Sequence, residues 1–69
     1  MHSVVDSSLL TAVAYSTDDQ TLDLEFRSGI AYRYFDVPAT VVDGLLAAES
    51  KGTYFNRYLR DRFHYQKQS

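Results

Sequence analysis

The sequence predicts an α+β domain: a three-stranded antiparallel β-meander, then two helices packed on one of its faces, with a short C-terminal edge strand as an option. Three observations predict it. Thr21-Leu22-Asp23-Leu24-Glu25-Phe26 alternates polar and apolar residues, the period of a half-buried strand. Arg27-Ser28-Gly29 follows it as a three-residue hairpin loop, with Gly29 suited to the left-handed position. After Pro38 the apolar residues return at helical rather than strand spacing.

The first seven residues read as a loose lead-in, and a first strand is expected over Leu9 to Tyr15. Ser16-Thr17-Asp18-Asp19-Gln20 is turn chemistry, because short polar side chains bond their own backbone. The second strand is Thr21 to Phe26 and the third Ile30 to Phe35. The hairpin loop sets their register: Phe26 opposite Ile30, Leu24 opposite Tyr32 and Leu22 opposite Tyr34. A slip of one residue would place Arg33 among the Leu and Phe side chains, at the cost of burying a charge. Extending the pattern places Val13 beside Leu24 and Tyr15 beside Leu22. One face is then apolar, Tyr32 and Tyr34 included. The other shows Thr21, Asp23, Glu25, Arg33 and Phe35.

A sheet this small must cover its apolar face. Pro38 suits the first turn of a helix, having no N–H to leave unpaired. Val41, Val42, Leu45, Leu46 and Ala48 then fall on one side, and Lys51-Gly52 reads as the stop, with Gly52 free to turn left-handed. A second helix is expected from about Thr53 to Phe63, with Ser50 placed to cap it by accepting an N–H from near Thr53. Its wheel gathers Tyr54, Phe55, Tyr58, Leu59 and Phe63 on one half, and Asn56, Arg57, Arg60, Asp61 and His64 on the other. Tyr65 is available to a short edge strand.

Composition bounds the function. The 69 residues make one domain, with its core over about residues 7–66. Six Tyr and four Phe carry much of the apolar bulk, and there is no Cys for a disulfide or a thiolate metal site. No apolar run approaches a membrane span and no leader pattern opens the chain, so a cytoplasmic location without membrane attachment is expected. The net charge is −2, but it is divided: −6 over residues 1–50 and +4 over residues 51–69. Such a split marks either a basic contact face or two halves that attract each other.

Catalytic and metal chemistry lack support. His2 and His64 stand at opposite ends without a second ligand at useful spacing. No serine sits in a glycine-framed elbow, and three scattered Gly make no phosphate loop. No catalytic residue, metal or cofactor is therefore expected. Nucleic-acid binding has more to stand on, since bases stack on aromatic rings and Arg contacts phosphate. The candidates are Arg33 and Phe35 on the open sheet face, and Lys51, Arg57, Arg60, Arg62 and His64 later in the chain. Structural roles compete with each: Arg33 faces Asp23 across the strands, and Arg57 stands four residues before Asp61.

The order of these residues resembles the KTSC domain, a family named for its occurrence at the C-terminus of some lysyl-tRNA synthetases and found also as free-standing small bacterial proteins. Its mark is a Tyr-x-Tyr motif, matched by Tyr32-Arg33-Tyr34 after Gly29. Ser8, Leu10, Tyr15, the Val37-Pro38 step, Ala48-Glu49-Ser50-Lys51-Gly52, Tyr54-Phe55-Asn56 and Leu59-Arg60 fit the same pattern. Phe63 stands where the pattern has a Tyr, which removes one hydroxyl. The resemblance implies a stand-alone domain without assigned catalytic residues, and the synthetase attachment implies RNA as a partner. Two functional classes follow: a non-catalytic module for RNA or single-stranded nucleic acid, and a protein-interaction or self-associating accessory domain using Phe35, Tyr65 or an open sheet edge.

Overall fold

A computed structural model of the chain describes residues 2–4 and 9–68. It contains five antiparallel strands in the order β1-β2-β3-β4-β5, so every strand pairs with its successor in sequence. They are β1 (His2–Val4), β2 (Leu10–Ser16), β3 (Thr21–Phe26), β4 (Ala31–Tyr34) and β5 (Tyr65–Lys67). The three expected strands are β2, β3 and β4. The lead-in is corrected by β1: His2 to Val4 pair with Ala14 to Ala12 as an edge strand. Residues 5–8, Ser8 among them, lie outside the described residues. The optional C-terminal strand is present as β5 on the other edge, with Tyr65 opposite Tyr34 and Lys67 opposite Tyr32.

The hairpin of β3 and β4 follows the alternation. Leu22 faces Tyr34, Asp23 faces Arg33 and Leu24 faces Tyr32. The loop closes through Phe26 N–H donating to the Ile30 carbonyl at 2.8 Å and Gly29 N–H to the Phe26 carbonyl at 2.9 Å. Gly29 has φ +93°, a conformation in which a side chain would be strained. Across β2 and β3, Val13 pairs with Leu24 and Tyr15 with Leu22, while a bulge between Leu10 and Ala12 shifts the register at the far end.

The inward residues of the sheet meet the helices in one core: Leu10, Val13, Tyr15, Leu22, Leu24 and Tyr34 against Val37, Val42, Leu45, Phe55 and Leu59. Each buried aliphatic side chain contributes about 1.5–3 kcal/mol by leaving water. Tyr15 reconciles burial with its polar tip by donating to the Val37 carbonyl at 2.6 Å. Among the described residues, no helix is long and apolar enough to cross a membrane.

Helix α1 spans Ala39–Ala47, with Pro38 at its N-cap and Ala48 already extended. It ends before the expected stop. Lys51-Gly52 instead begins α2 (Lys51–Tyr54), and Gly52 is helical rather than left-handed. Ser50 caps α2 as expected: its Oγ accepts from Thr53 N–H at 3.2 Å and donates to Thr53 Oγ1 at 2.9 Å. The second helix does not run to Phe63. After Tyr54 it widens into a π-helical stretch, Phe55–Leu59, which closes when Arg60 N–H bonds the Phe55 carbonyl five residues back at 2.8 Å. Arg60 is extended and Asp61 left-handed, at φ +62°. This early ending releases the chain in time for Tyr65 to reach β4.

Candidate binding cleft

The alternation of β4 sends Tyr32 and Tyr34 to the helix side of the sheet, and β3 brings Phe26 beside them. β5 adds Tyr65 by pairing with Tyr34. The π-helical stretch adds Phe55, buried against Phe26 and Tyr34. The rings interlock edge to face: Phe26 to Tyr32 at 5.6 Å, Phe26 to Phe55 at 5.3 Å, Tyr34 to Phe55 at 5.9 Å and Tyr32 to Tyr65 at 5.5 Å. Between them opens a cleft of about 290 Å³, completed by Arg60 and Asp61. Its volume is at the lower end of small-ligand sites.

Its floor is dry and its rim is wet. Tyr34 is 4% exposed and Phe55 6%, whereas Tyr65 is 50% exposed. Burial pushes the Tyr34 phenol up to about 12, helped by Tyr65, Tyr32 and Asp61 and opposed by Arg60. The hydroxyl therefore stays protonated and able to donate throughout the physiological range. Tyr15 and Tyr54 commit their hydroxyls to the carbonyls of Val37 and Val41. Among the described residues, those of Tyr32, Tyr34 and Tyr65 make no hydrogen bond and remain available in the cleft.

The basic residues named from the sequence do not share one surface. Arg60 lines the aromatic cleft, its Nη1 donating to Asn56 Oδ1 at 3.4 Å. Arg57 lies in a separate groove with Glu49, Tyr54 and Tyr58. The expected pairing of Arg57 with Asp61 is not made, because the helix ends before Asp61. Lys51 folds back to donate to the Ala48 carbonyl at 3.2 Å. Arg62 and His64 are exposed beyond the helix, so His64 does not share a helical half with Arg57 as the wheel has it.

Arg33 points to the opposite face and grips Asp23 with two hydrogen bonds, at 2.8 and 3.1 Å, the cross-strand ion pair the sequence suggested. That hydrogen bond and the Asp23 charge raise the Arg33 pKa. Phe35 shares this face with His64, ring to ring at 5.8 Å, joined by Phe35 N–H donating to the His64 carbonyl at 2.9 Å. Phe35 also lines a shallow trough with Ala14, Ser16, Asp19, Thr21, Asp23 and Arg33. Its acids outnumber its single base, which disfavours a polyanion there.

Tyr32, Tyr34, Phe55 and Arg60 are thus brought together, while Arg33, Phe35, Lys51, Arg57 and His64 lie elsewhere. Phe26 and Asp61 join the cleft without having been named as binding residues, and Tyr65, expected only as a contact for a protein partner, joins it too. The available signal was Tyr65 itself: a terminal strand pairing with Tyr-x-Tyr must stack a third tyrosine on the same side.

The KTSC domain family profile matches residues 6–63. A lysine–tRNA ligase of Nostoc sp. is 44% identical over 64 residues, which cover 93% of this chain and 11% of the ligase. The chain thus spans about a ninth of the length of the ligases it matches. A protein of Tsukamurella paurometabola is 44% identical over 59 residues, covering 86% of this chain and 88% of that one. The crystal structure of a KTSC domain protein from Yersinia pestis superposes with a TM-score of 0.95 at 28% identity, covering 100% of this chain and 97% of that one.

Proposed function

The chain belongs to the KTSC domain family, and from that premise we propose that it is a non-catalytic binding module whose ligand is single-stranded RNA, taken at the aromatic cleft. One observation carries the reading: five aromatic rings converge on an open cleft with Arg60 at its edge. Aromatic faces stack on bases whatever their identity, and a neighbouring Arg contributes phosphate and cation–π contacts. The cleft offers no Ser, Cys, Lys or His to act as nucleophile or base. The lysine–tRNA ligases that share this domain act on an RNA, which supports the same ligand class by association.

The net charge of −2 bears on the mode of binding. A sequence-blind clamp on many phosphates needs a basic surface, which this domain lacks. The reading is therefore of a local site that holds one base and touches few phosphates. Anisotropy of fluorescein-labelled RNA hexamers, titrated at low and moderate salt, tests it. Binding that weakens about tenfold in Tyr65→Ala and Arg60→Glu is the expected result, from the ~1–3 kcal/mol that a stacked base contributes. No binding at low salt, or binding indifferent to both substitutions, overturns it. The alternative class, self-association along the free edge of β5, would show as a dimer in light scattering without RNA.

A further inference from the structure

The rings of the cleft accept any base, so discrimination falls to the polar groups at its edge. These are Arg60, Asp61 and the hydroxyls of Tyr32, Tyr34 and Tyr65. Arg60 can only donate hydrogen bonds, and its planar fork suits two adjacent acceptors. An ionised Asp61 can only accept, and its two oxygens suit two adjacent donors. The pair is consecutive in sequence but splayed by backbone: Arg60 is extended and Asp61 left-handed at φ +62°. Asn56 holds one nitrogen of Arg60, leaving the rest of the fork for a ligand.

A ligand complementary to this edge presents paired acceptors beside paired donors on one planar ring system. Guanine does so: O6 and N7 are neighbouring acceptors that Arg reads with two hydrogen bonds, and N1–H and the N2 amino group are neighbouring donors. Adenine and cytosine offer a single amino donor group next to ring acceptors. Uracil offers one N–H between two carbonyls. We propose that the cleft selects guanine, with Asp61 accepting from N1–H and the N2 amino group, Arg60 donating to O6 and N7, and the exposed ring of Tyr65 stacking on the base. The proposal rests on the RNA reading above.

The same anisotropy titration decides it with four hexamers of uridine, in which one central position is guanosine, inosine, adenosine or uridine. The guanosine hexamer is expected to bind about tenfold more tightly than the adenosine and uridine ones, the order of one bidentate base contact. Inosine, which lacks the N2 amino group, is expected to fall between. Asp61→Asn keeps a residue that tolerates the left-handed backbone and is expected to abolish the guanosine preference while still binding every hexamer. Thermal melting verifies that this variant folds. Equal affinity for all four hexamers, or a guanosine preference that survives Asp61→Asn, overturns guanine selection and leaves the RNA reading standing. Failure to bind any hexamer overturns both.

Discussion

Tyr54 lies across Gly44, where helix α2 crosses α1. Its hydroxyl donates to the Val41 carbonyl at 2.9 Å, and its ring packs 4.6 Å from that of Tyr58. A Cβ at position 44 would stand 2.8 Å from the ring's Cζ. The missing side chain of one helix is the seat for the ring of the other.

Gly44→Ala is expected to destabilise the domain. Alanine improves helix propensity by about 1 kcal/mol. It also forces Tyr54 away from Val41 and Tyr58, losing a hydrogen bond and overfilling the contact at about 1–3 kcal/mol. In a Tyr54→Ala background the same substitution should become stabilising. Urea midpoints for the four proteins of this double-mutant cycle check the reversal of sign.

Alkaline pH should destabilise the protein through Tyr34. Its folded pKa, about 12, lies above the ordinary 10.0 of an unfolded tyrosine. The stabilisation is therefore fully present below pH ~10 and is lost as the pH rises through about 12, because the unfolded chain releases this proton first. The difference corresponds to roughly 2–3 kcal/mol. Melting temperatures measured across this range should fall less steeply in Tyr34→Phe than in the parent.

Ser50→Ala removes an acceptor from the first turn of α2 and should cost ~1 kcal/mol. Ser50→Asp, which restores an acceptor, should recover most of it. Denaturant titration of the three proteins makes the comparison. An Ala variant as stable as the parent would show that water replaces the cap without loss.

Charge reversal separates the cleft from the rest of the basic segment. Arg60→Glu should weaken RNA hexamer binding at least tenfold and flatten its salt dependence, since it removes a phosphate or base contact. Arg57→Glu, in the other groove, should change affinity less than threefold, a long-range charge effect that salt screens. Equal losses in both would place the RNA across the helix rather than in the cleft.

The hairpin and its face assignment were legible because alternation has a period of two and Gly29 pins the loop. The register over Leu22, Leu24, Tyr32 and Tyr34 followed from that alone. The Ser50 cap was legible for a similarly local reason. β1 was not, because a three-residue strand is too short to show a period. The second helix was drawn too long because a wheel at 100° per residue assumes bonds to the fourth residue back, and at Arg60 the bond goes to the fifth. The same wheel put Asp61 and His64 on one helical half with Arg57, where the chain has already left the helix at Arg60. Misreading that ending hid the cleft, whose outer wall is delivered by the turn that follows.

β5 is the last strand on its edge and also the cleft's outer wall. Fraying of that edge and dismantling of the site are consequently one event. Occupancy must oppose it: any ligand that touches Tyr65 lowers the open population by its own binding free energy. Amide protons of Gln66 and Gln68, measured by hydrogen exchange, would then report binding without any label on the ligand. The domain carries its own reporter, and an unidentified ligand can be recognised by how far it slows these protons.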